Sequence, residues 1–513
     1  MSAKKIHVLP LNRSEGDLEI HLEMENEMVS EAKSVGTMYR GFENLLKGRA
    51  PLDGLVITPR ICGICSTSHL KAAVKALDMI AEVNVPDDAL RVRNLTLMAE
   101  QLQNDLRHAF LLFTPDFASP AYRNHSLFEE AVKRYSPLKG AAVVQTIRET
   151  KKILEIIAIL GGQWPHSSFM VPGGVVSVPG QNDINQCRSL LANFRHWYER
   201  QVLGCKLARW SDVQTPEDLE VWLDEKREHQ DSELGFFIRF SKESKLHQLG
   251  NGHPNFISFG AYEMPINTSV KPLSGGQHLF PPGFLHNNHI SSFDQEKITE
   301  DVTFSHFKSH GGPRHPFEET TDIEIPDANH KAYSWAKAPR YNSHPAETGP
   351  LAELVMASNP LIKGLLKNDG PNVFLRQLAR LIRPTLLFPV MDYWLKETGV
   401  ANEIFYRKND LPEKGRGFGL VQAHRGALGH WVTIEDGKIA RYQVITPTTW
   451  NASPRDKSGL RGPWEEALVG TPIKNAKHPV EIEHTIRSFD PCMVCCVHTI
   501  TGHGKQPDAT IFC

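Results

Sequence analysis

Two cysteine pairs of identical spacing lie near opposite ends of the chain. Cys62 and Cys65 stand in Arg60-Ile-Cys-Gly-Ile-Cys-Ser-Thr-Ser-His69, and Cys492 and Cys495 in Asp490-Pro-Cys-Met-Val-Cys-Cys-Val-His498. A Cys-x-x-Cys pair offers two thiolates to one ion, and two pairs brought together by the fold would make a sulfur-rich site tying the chain's ends into one core. On spacing alone a structural zinc site, a redox dithiol and a catalytic metal are all open. Soft thiolates suit zinc, copper(I), iron–sulfur clusters and nickel alike, so the donor set does not name the metal. The flanking residues say more: each pair is followed by a histidine, His69 or His498, and preceded by a charge, Arg60 or Asp490. A zinc knuckle has no use for such charges. Cys187 and Cys205 lack ligand-like neighbours and read as ordinary buried thiols.

Arg-x-Cys-Gly-x-Cys-x-x-x-His early and Asp-Pro-Cys-x-x-Cys-x-x-His late resemble the large subunit of nickel-iron hydrogenases. Further blocks resemble that family in the same order: Arg13-Ser-Glu15-Gly16, Gly36-Thr-Met-Tyr-Arg-Gly-Phe-Glu43, Lys337-Ala-Pro-Arg-Tyr341, Glu347-Thr-Gly-Pro-Leu351, Arg425-Gly-Ala-Leu-Gly-His-Trp431 and Thr446-Pro-Thr-Thr-Trp-Asn451. The resemblance implies nickel held by all four thiolates, with Cys62 and Cys492 terminal and Cys65 and Cys495 shared with an iron that carries carbon monoxide and cyanide. It makes Cys492 the first proton acceptor and Glu15 the next relay, as suits a carboxylate near a metal. Arg425 would hang over the open metal position. A buried guanidinium needs counter-charges, for which Asp116 and Asp490 are the candidates. By the same resemblance Thr448 would hydrogen-bond a cyanide, and His69 would donate to a thiolate rather than bind metal. Glu43, His498 and the carbonyl of Val444 would hold a hard cation, magnesium. The family's usual Ala-Pro-Arg-Gly here reads Ala423-His-Arg-Gly426, which changes backbone stiffness and polarity beside the metals. Cys496 is an extra thiol without an assigned role.

Four cysteines go to the site and the other four are scattered, so the chain has none to spare for iron–sulfur clusters. Electrons must therefore leave through a partner, expected as an iron–sulfur small subunit, with further assembly of the heterodimer. Residues 1–498 read as one domain, and the resemblance implies that Thr499 to Cys513 is a maturation peptide removed by an endopeptidase after nickel insertion, a permanent tail being the alternative. The activity implied is oxidation of dihydrogen to protons and electrons. A slow hydrogen sensor, a relative of the quinone-site subunit of respiratory complex I, and a zinc-stabilised interaction protein are the alternatives.

The chain of 513 residues, 40% hydrophobic and 23% charged, is long enough for a large core, and its net charge of −2 gives no reason to expect nucleic acid or an anionic membrane. The longest apolar candidate, Ile153 to Leu160, is far below a membrane span. The N-terminus shows no export signal, so a cytoplasmic location is expected, with export on a small subunit's signal still open.

The elements that must position these residues follow from periodicity. Residues 5–35 alternate apolar and polar positions, predicting an antiparallel sheet. Leu70–Ala81, Ala89–Phe113, Gly140–Leu160 and Asp183–Leu207 predict long helices, and helices return at Ala346–Lys367 and Asn372–Gly399. Residues 250–330, rich in Gly, Pro, His and Asn, predict irregular structure with short strands, including Asn255–Tyr262; their histidines lack ligand spacing. Gly417–Thr446 predicts strands around Gly437. The fold class is α+β, a helical bundle core with small antiparallel sheets near both ends of the sequence.

Overall fold

The N-terminal alternation becomes a three-stranded antiparallel meander, β1 (Lys5–Pro10), β2 (Leu18–Glu25) and β3 (Met28–Gly36). Leu18, Ile20 and Leu22 share the buried face of β2, as a two-residue repeat demands. They pack with Trp464, Ile482, Ile486, Phe489 and Met493, so the first sheet is bound to the segment leading into the last cysteines. Each such side chain removed from water contributes roughly 1.5–3 kcal/mol. The computed structural model describes residues 5–10, 12–309, 311–324, 331–399, 404–475 and 478–496.

Helices dominate the middle: α1 (Ser66–Ile80), α2 (Asp87–Arg107), α3 (Ala141–Ile153), α4 (Glu155–Gly161), α5 (Gln181–Trp197), α6 (Pro216–Glu225) and α7 (Glu233–Ser244). Several expected helices are interrupted for local reasons. α2 widens into a π turn at His108–Phe113, and the Gly140–Leu160 helix divides at Leu154. The expected Ala346–Lys367 helix is two, α8 (Pro350–Met356) and α9 (Pro360–Asp369), because Asn359 caps the second by accepting from the Ile362 amide. α10 (Val373–Ile382) and α11 (Pro384–Glu397) part at Arg383, where Pro384 cannot donate to a preceding turn.

The Gly/Pro-rich stretch is more regular than its composition suggests. β4 (Phe256–Glu263), β5 (His278–His286) and β6 (His289–Ser291) form a mid-chain sheet, and β7 (Ile298–Asp301) pairs with β8 (Ala338–Tyr341). β9 (Gly415–Ala423), β10 (Gly426–Glu435) and β11 (Lys438–Ile445) make a second antiparallel meander, with Asp436 and Gly437 in the left-handed conformation of a tight hairpin turn. Short helices follow, among them α12 (Pro447–Asn451), α13 (Val480–Ser488) and α14 (Met493–Cys496).

Two packing features set the site. β9 lies directly on α1, the helix that follows the first cysteine pair. A Cβ on Gly417 or Gly419 would sit 2.3 Å from the Ala76 carbonyl oxygen or 1.8 Å from that of Ala72, so only glycine permits this approach. α2 runs through the interior although much of it is polar: Arg93, Asn94, Glu100, Asn104 and Asp105 are all buried. Among the described residues, no helix is long and apolar enough to cross a membrane.

Candidate metal centre

The two cysteine motifs converge. Cys62 Sγ lies 3.6 Å from Cys492 Sγ, and both are buried with Cys65 between Ile64 and Val494. That separation is far beyond a disulfide bond and close enough for two sulfurs to share one ion. Cys495 sits on α14, but its side chain lies outside the described residues, as do His498 and Thr499 to Cys513. Among the described residues, no three His, Cys, Asp or Glu side chains form a metal-binding group by themselves.

Backbone contacts bring the motifs together. Glu15 bridges to Cys492: its N–H donates to the Pro491 carbonyl (3.4 Å), and its own carbonyl accepts from Met493 (2.6 Å) and Val494 (3.1 Å). Gly16, at φ +84°, lies so close to Val494 that a Cβ would come within 2.9 Å of it. Arg40 clamps both sides, donating to the carbonyls of Ile61 and, at 3.1 Å, of Val494. Cys65 itself starts α1, whose first-turn amides at Thr67 (2.8 Å) and Ser68 (3.1 Å) are taken by the buried carboxylate of Glu100.

Near the sulfurs lies a group of buried charges. Ala423 pairs with Gly426 across β9 and β10, leaving His424 and Arg425 as a two-residue turn with both side chains buried. Arg425 Nε lies 2.9 Å from Asp490 Oδ1, and Nη1 lies 3.0 Å from His424 Nε2. The Nε contact is an ion pair without hydrogen-bond alignment, so Nε and Nη2 are both buried without a hydrogen-bond partner among the described residues. Asp490, in the left-handed region at φ 59°, accepts from Asn104 (2.7 Å) and Arg380 (3.2 Å). Burial alone would raise its pKa, but Arg425, His108 and Arg380 hold it well below the carboxylate range. Burial likewise works against the charge on Arg425, yet Asp490 and the three cysteine sulfurs keep its pKa well above the ordinary value. The guanidinium stays charged. Glu15 shows the opposite balance: burial raises its pKa, Arg425 opposes, and Cys62 and Asp490 reinforce the rise.

Asp116 is placed differently from the expectation. It binds Arg13 and, at 2.6 Å, Arg487, so it does not serve as a counter-charge to Arg425; that role falls to Asp490. Its position at the end of the π turn after α2 aims it at the Arg13 and Arg487 side, which its distance along the chain did not reveal. Thr448, in the first turn of α12, accepts from the Cys492 amide at 3.2 Å. His69 Nδ1 pairs with His430 Nε2 at 3.1 Å, and His430 Nδ1 with the Tyr442 hydroxyl at 2.8 Å. At the expected hard-cation position Glu43 Oε1 accepts from the Val444 N–H (2.9 Å), while Oε2 takes the Thr321 hydroxyl and lies 3.6 Å from Lys337 Nζ. Glu300 lies 3.6 Å from the same lysine.

A family model described as nickel-dependent hydrogenase matches residues 40–134 and 236–498. The chain belongs to the nickel-dependent hydrogenases. The periplasmic [NiFeSe] hydrogenase large subunit of Desulfomicrobium baculatum is 32% identical, the match covering 97% of this chain and 95% of that one. The hydrogenase-2 large chain of Escherichia coli (strain K12) is 27% identical over 98% and 99% of the two chains. The solved H2-activated [NiFeSe]-hydrogenase of Dm. baculatum superposes with a TM-score of 0.81 at 29% identity, covering 97% of this chain and all of the other.

In this hydrogenase the donor set fits a thiolate-bound metal. The sulfurs converge where Arg425 presents a buried Nη2 without a hydrogen-bond partner among the described residues, and Coulombic attraction links the two. Sequence reasoning missed four residues that build the centre: Arg40, Glu100, Asn104 and Arg380. Arg40 stands within a recognised block and was available; the others are isolated polar residues on helices, indistinguishable in sequence from solvated ones.

Proposed function

We propose that this chain is the catalytic large subunit of a nickel-iron hydrogenase that splits dihydrogen unevenly and passes the electrons to a small subunit carrying iron–sulfur clusters. The observation that carries it is the meeting of Cys62 and Cys492 beside Arg425 and Asp490. Cys62, Cys65, Cys492 and Cys495 would hold the nickel, with Cys65 and Cys495 shared with an iron bearing carbon monoxide and cyanide. When bound, such a pair supplies the Lewis acidity and the electron acceptance that dihydrogen cleavage requires.

The chain's own residues do the rest. Arg425, kept charged by Asp490, places a fixed positive charge and two donors at the site without reorganising during the reaction. Cys492 Sγ takes the proton first. Glu15, joined to Cys492 by backbone pairing and raised in pKa mainly by burial, accepts it next and hands it outward. Thr448 fixes the Cys492 backbone by accepting from its N–H, which leaves the hydroxyl proton free to donate. His69, held by His430, orients from the α1 side. Glu43, the Val444 carbonyl and His498 would share a magnesium ion, with Glu300 close by. Removal of Thr499 to Cys513 would free His498 for that ion.

The test is infrared spectroscopy and metal analysis of the complex purified with its small subunit. Bands in the carbon monoxide and cyanide region, about one nickel per chain and a large subunit ending at His498 are the expected results. A nickel-loaded, processed complex lacking those bands would refute the reading.

A further inference from the structure

We propose that Glu100, His424 and Arg425 form one hydrogen-bonded unit in which the carboxylate fixes the imidazole tautomer and the imidazole orients the guanidinium beside the thiols. Glu100 and His424 are then positioning residues. This rests on the metal-centre reading above.

The tautomer follows from donor chemistry. A guanidinium donates and cannot accept, so His424 Nε2, 3.0 Å from Arg425 Nη1, must present a lone pair. Burial and the adjacent Arg425 keep the ring neutral, and its one proton therefore sits on Nδ1. Nδ1 is buried, makes no hydrogen bond among the described residues, and lies 3.9 Å from Glu100 Oε1. Glu100 is itself fully buried on α2, and no lysine or arginine pairs with it among the described residues. Burial raises it to about 7, opposed by the bonds it accepts from Ser68 and Thr67, so its ionised form is the one this unit employs. A donor without an acceptor thus faces a carboxylate without a cation, and closing the gap by about 1 Å completes the bond.

The arrangement explains why an imidazole suits the place. Asp490 already neutralises Arg425 from the Nε side. A second carboxylate at Nη1 would cancel the positive charge the pocket needs, whereas a neutral nitrogen orients the guanidinium and leaves its charge intact. Arg383 completes the frame by donating to the His424 carbonyl at 2.9 Å, which fixes the turn itself. Because Glu100 also accepts from Thr67, Ser68 and the Ser68 hydroxyl (2.7 Å), one carboxylate joins the helix after Cys65 to the turn that carries Arg425.

The test uses the purified large–small subunit complex and the variants Glu100→Gln, His424→Leu, His424→Gln and the Glu100→Gln/His424→Leu double. Glutamine at 100 keeps an acceptor for α1 but can turn an amide toward Nδ1–H, forcing the other tautomer and setting two donors against each other at Arg425. Each of Glu100→Gln and His424→Leu should lower kcat/KM for dihydrogen about tenfold with nickel content retained. The double variant should also fall about tenfold, not about a hundredfold, because both changes break one unit. His424→Gln can accept from Arg425 through its oxygen and donate to Glu100 through its amide, so it should recover to within about threefold of wild type. A crystal structure of the Glu100→Gln complex should show Arg425 turned from residue 424 with Cys62 and Cys65 in place. Additive losses in the double variant, no rescue by glutamine at 424, or an unmoved Arg425 in that crystal structure would overturn the proposal. A wild-type complex without nickel or hydrogen oxidation would instead refute the metal-centre reading, while the position of Arg425 in the crystals still decides this one.

Discussion

Arg425 is held by two neighbours of opposite character, a carboxylate at Nε and a neutral ring at Nη1. Lysine could keep the charge but not this fork, because an ammonium is a point donor without planar geometry. Arg425→Lys is expected to lower kcat/KM for hydrogen oxidation about a hundredfold, roughly the loss of one preorganised donor at a reacting centre, while nickel content stays at the wild-type level. Asp116 belongs to a different ledger of charges. Its partners are Arg13 and Arg487, so Asp116→Asn should destabilise the fold by about 3 kcal/mol, the effect of leaving a buried guanidinium short of its counter-charge. Equilibrium unfolding in urea checks it; a loss of hydrogen oxidation at unchanged stability would return Asp116 to the metal pocket. Cys62, Cys492, Glu15, Thr448 and Arg425 could all be picked from the sequence because each sits in a run whose residue types have little reason to coincide otherwise. Glu100 and Arg380 could not, since a lone charge on a helix reads as solvated until its burial is known.

At the scale of elements, the close approach of α1 and β9 is the most vulnerable contact. Gly419→Ala would press a methyl group into the Ala72 carbonyl and should lower stability by about 1–3 kcal/mol, measured as a shift in the urea midpoint. A variant as stable as wild type would mean that the strand can move off the helix. Periodicity located most helices because their apolar stripes are long, yet it ran α10 into α11 and α3 into α4. Their breaks come from Pro384 and from the local turn at Leu154, single-residue effects that a stripe several turns long outweighs. The β4–β6 sheet was read only at Asn255–Tyr262. β5 carries two prolines and a glycine within His278–His286, and it holds as a strand through pairing with β4, a partner that sequence spacing does not disclose.

Across the whole molecule, the interior carries many buried acids, and their protonation couples stability to pH. Burial raises Glu465 to about 7 from an ordinary 4.5, against the bonds it accepts from Tyr333 and Ser34. Glu353 is also raised to about 7 and Glu300 to about 8, again by burial first. A folded-state pKa above the unfolded one means that the unfolded chain releases its proton first, so this stability is complete below about pH 4.5 and lost as pH rises toward 7 and 8. The metal-free chain should therefore unfold at progressively lower urea between pH 5 and pH 7.5, and Glu465→Gln should flatten that slope. Asp490 acts in the reverse sense, its contribution fading only as pH falls below the ordinary carboxylate range, outside this window. An identical slope in wild type and Glu465→Gln would show that the carboxyl is not buried in solution.

The pairing of Glu15 with Cys492 has a consequence for biosynthesis. During translation the first strands and Cys62 leave the ribosome long before Cys492 exists, and the nascent chain carries an open half-cage whose other wall is still unmade. Completion of the cage thus cannot precede synthesis of the C-terminal segment. Any ion delivered earlier would meet only two of the four sulfurs, so capture by all four waits on chain order.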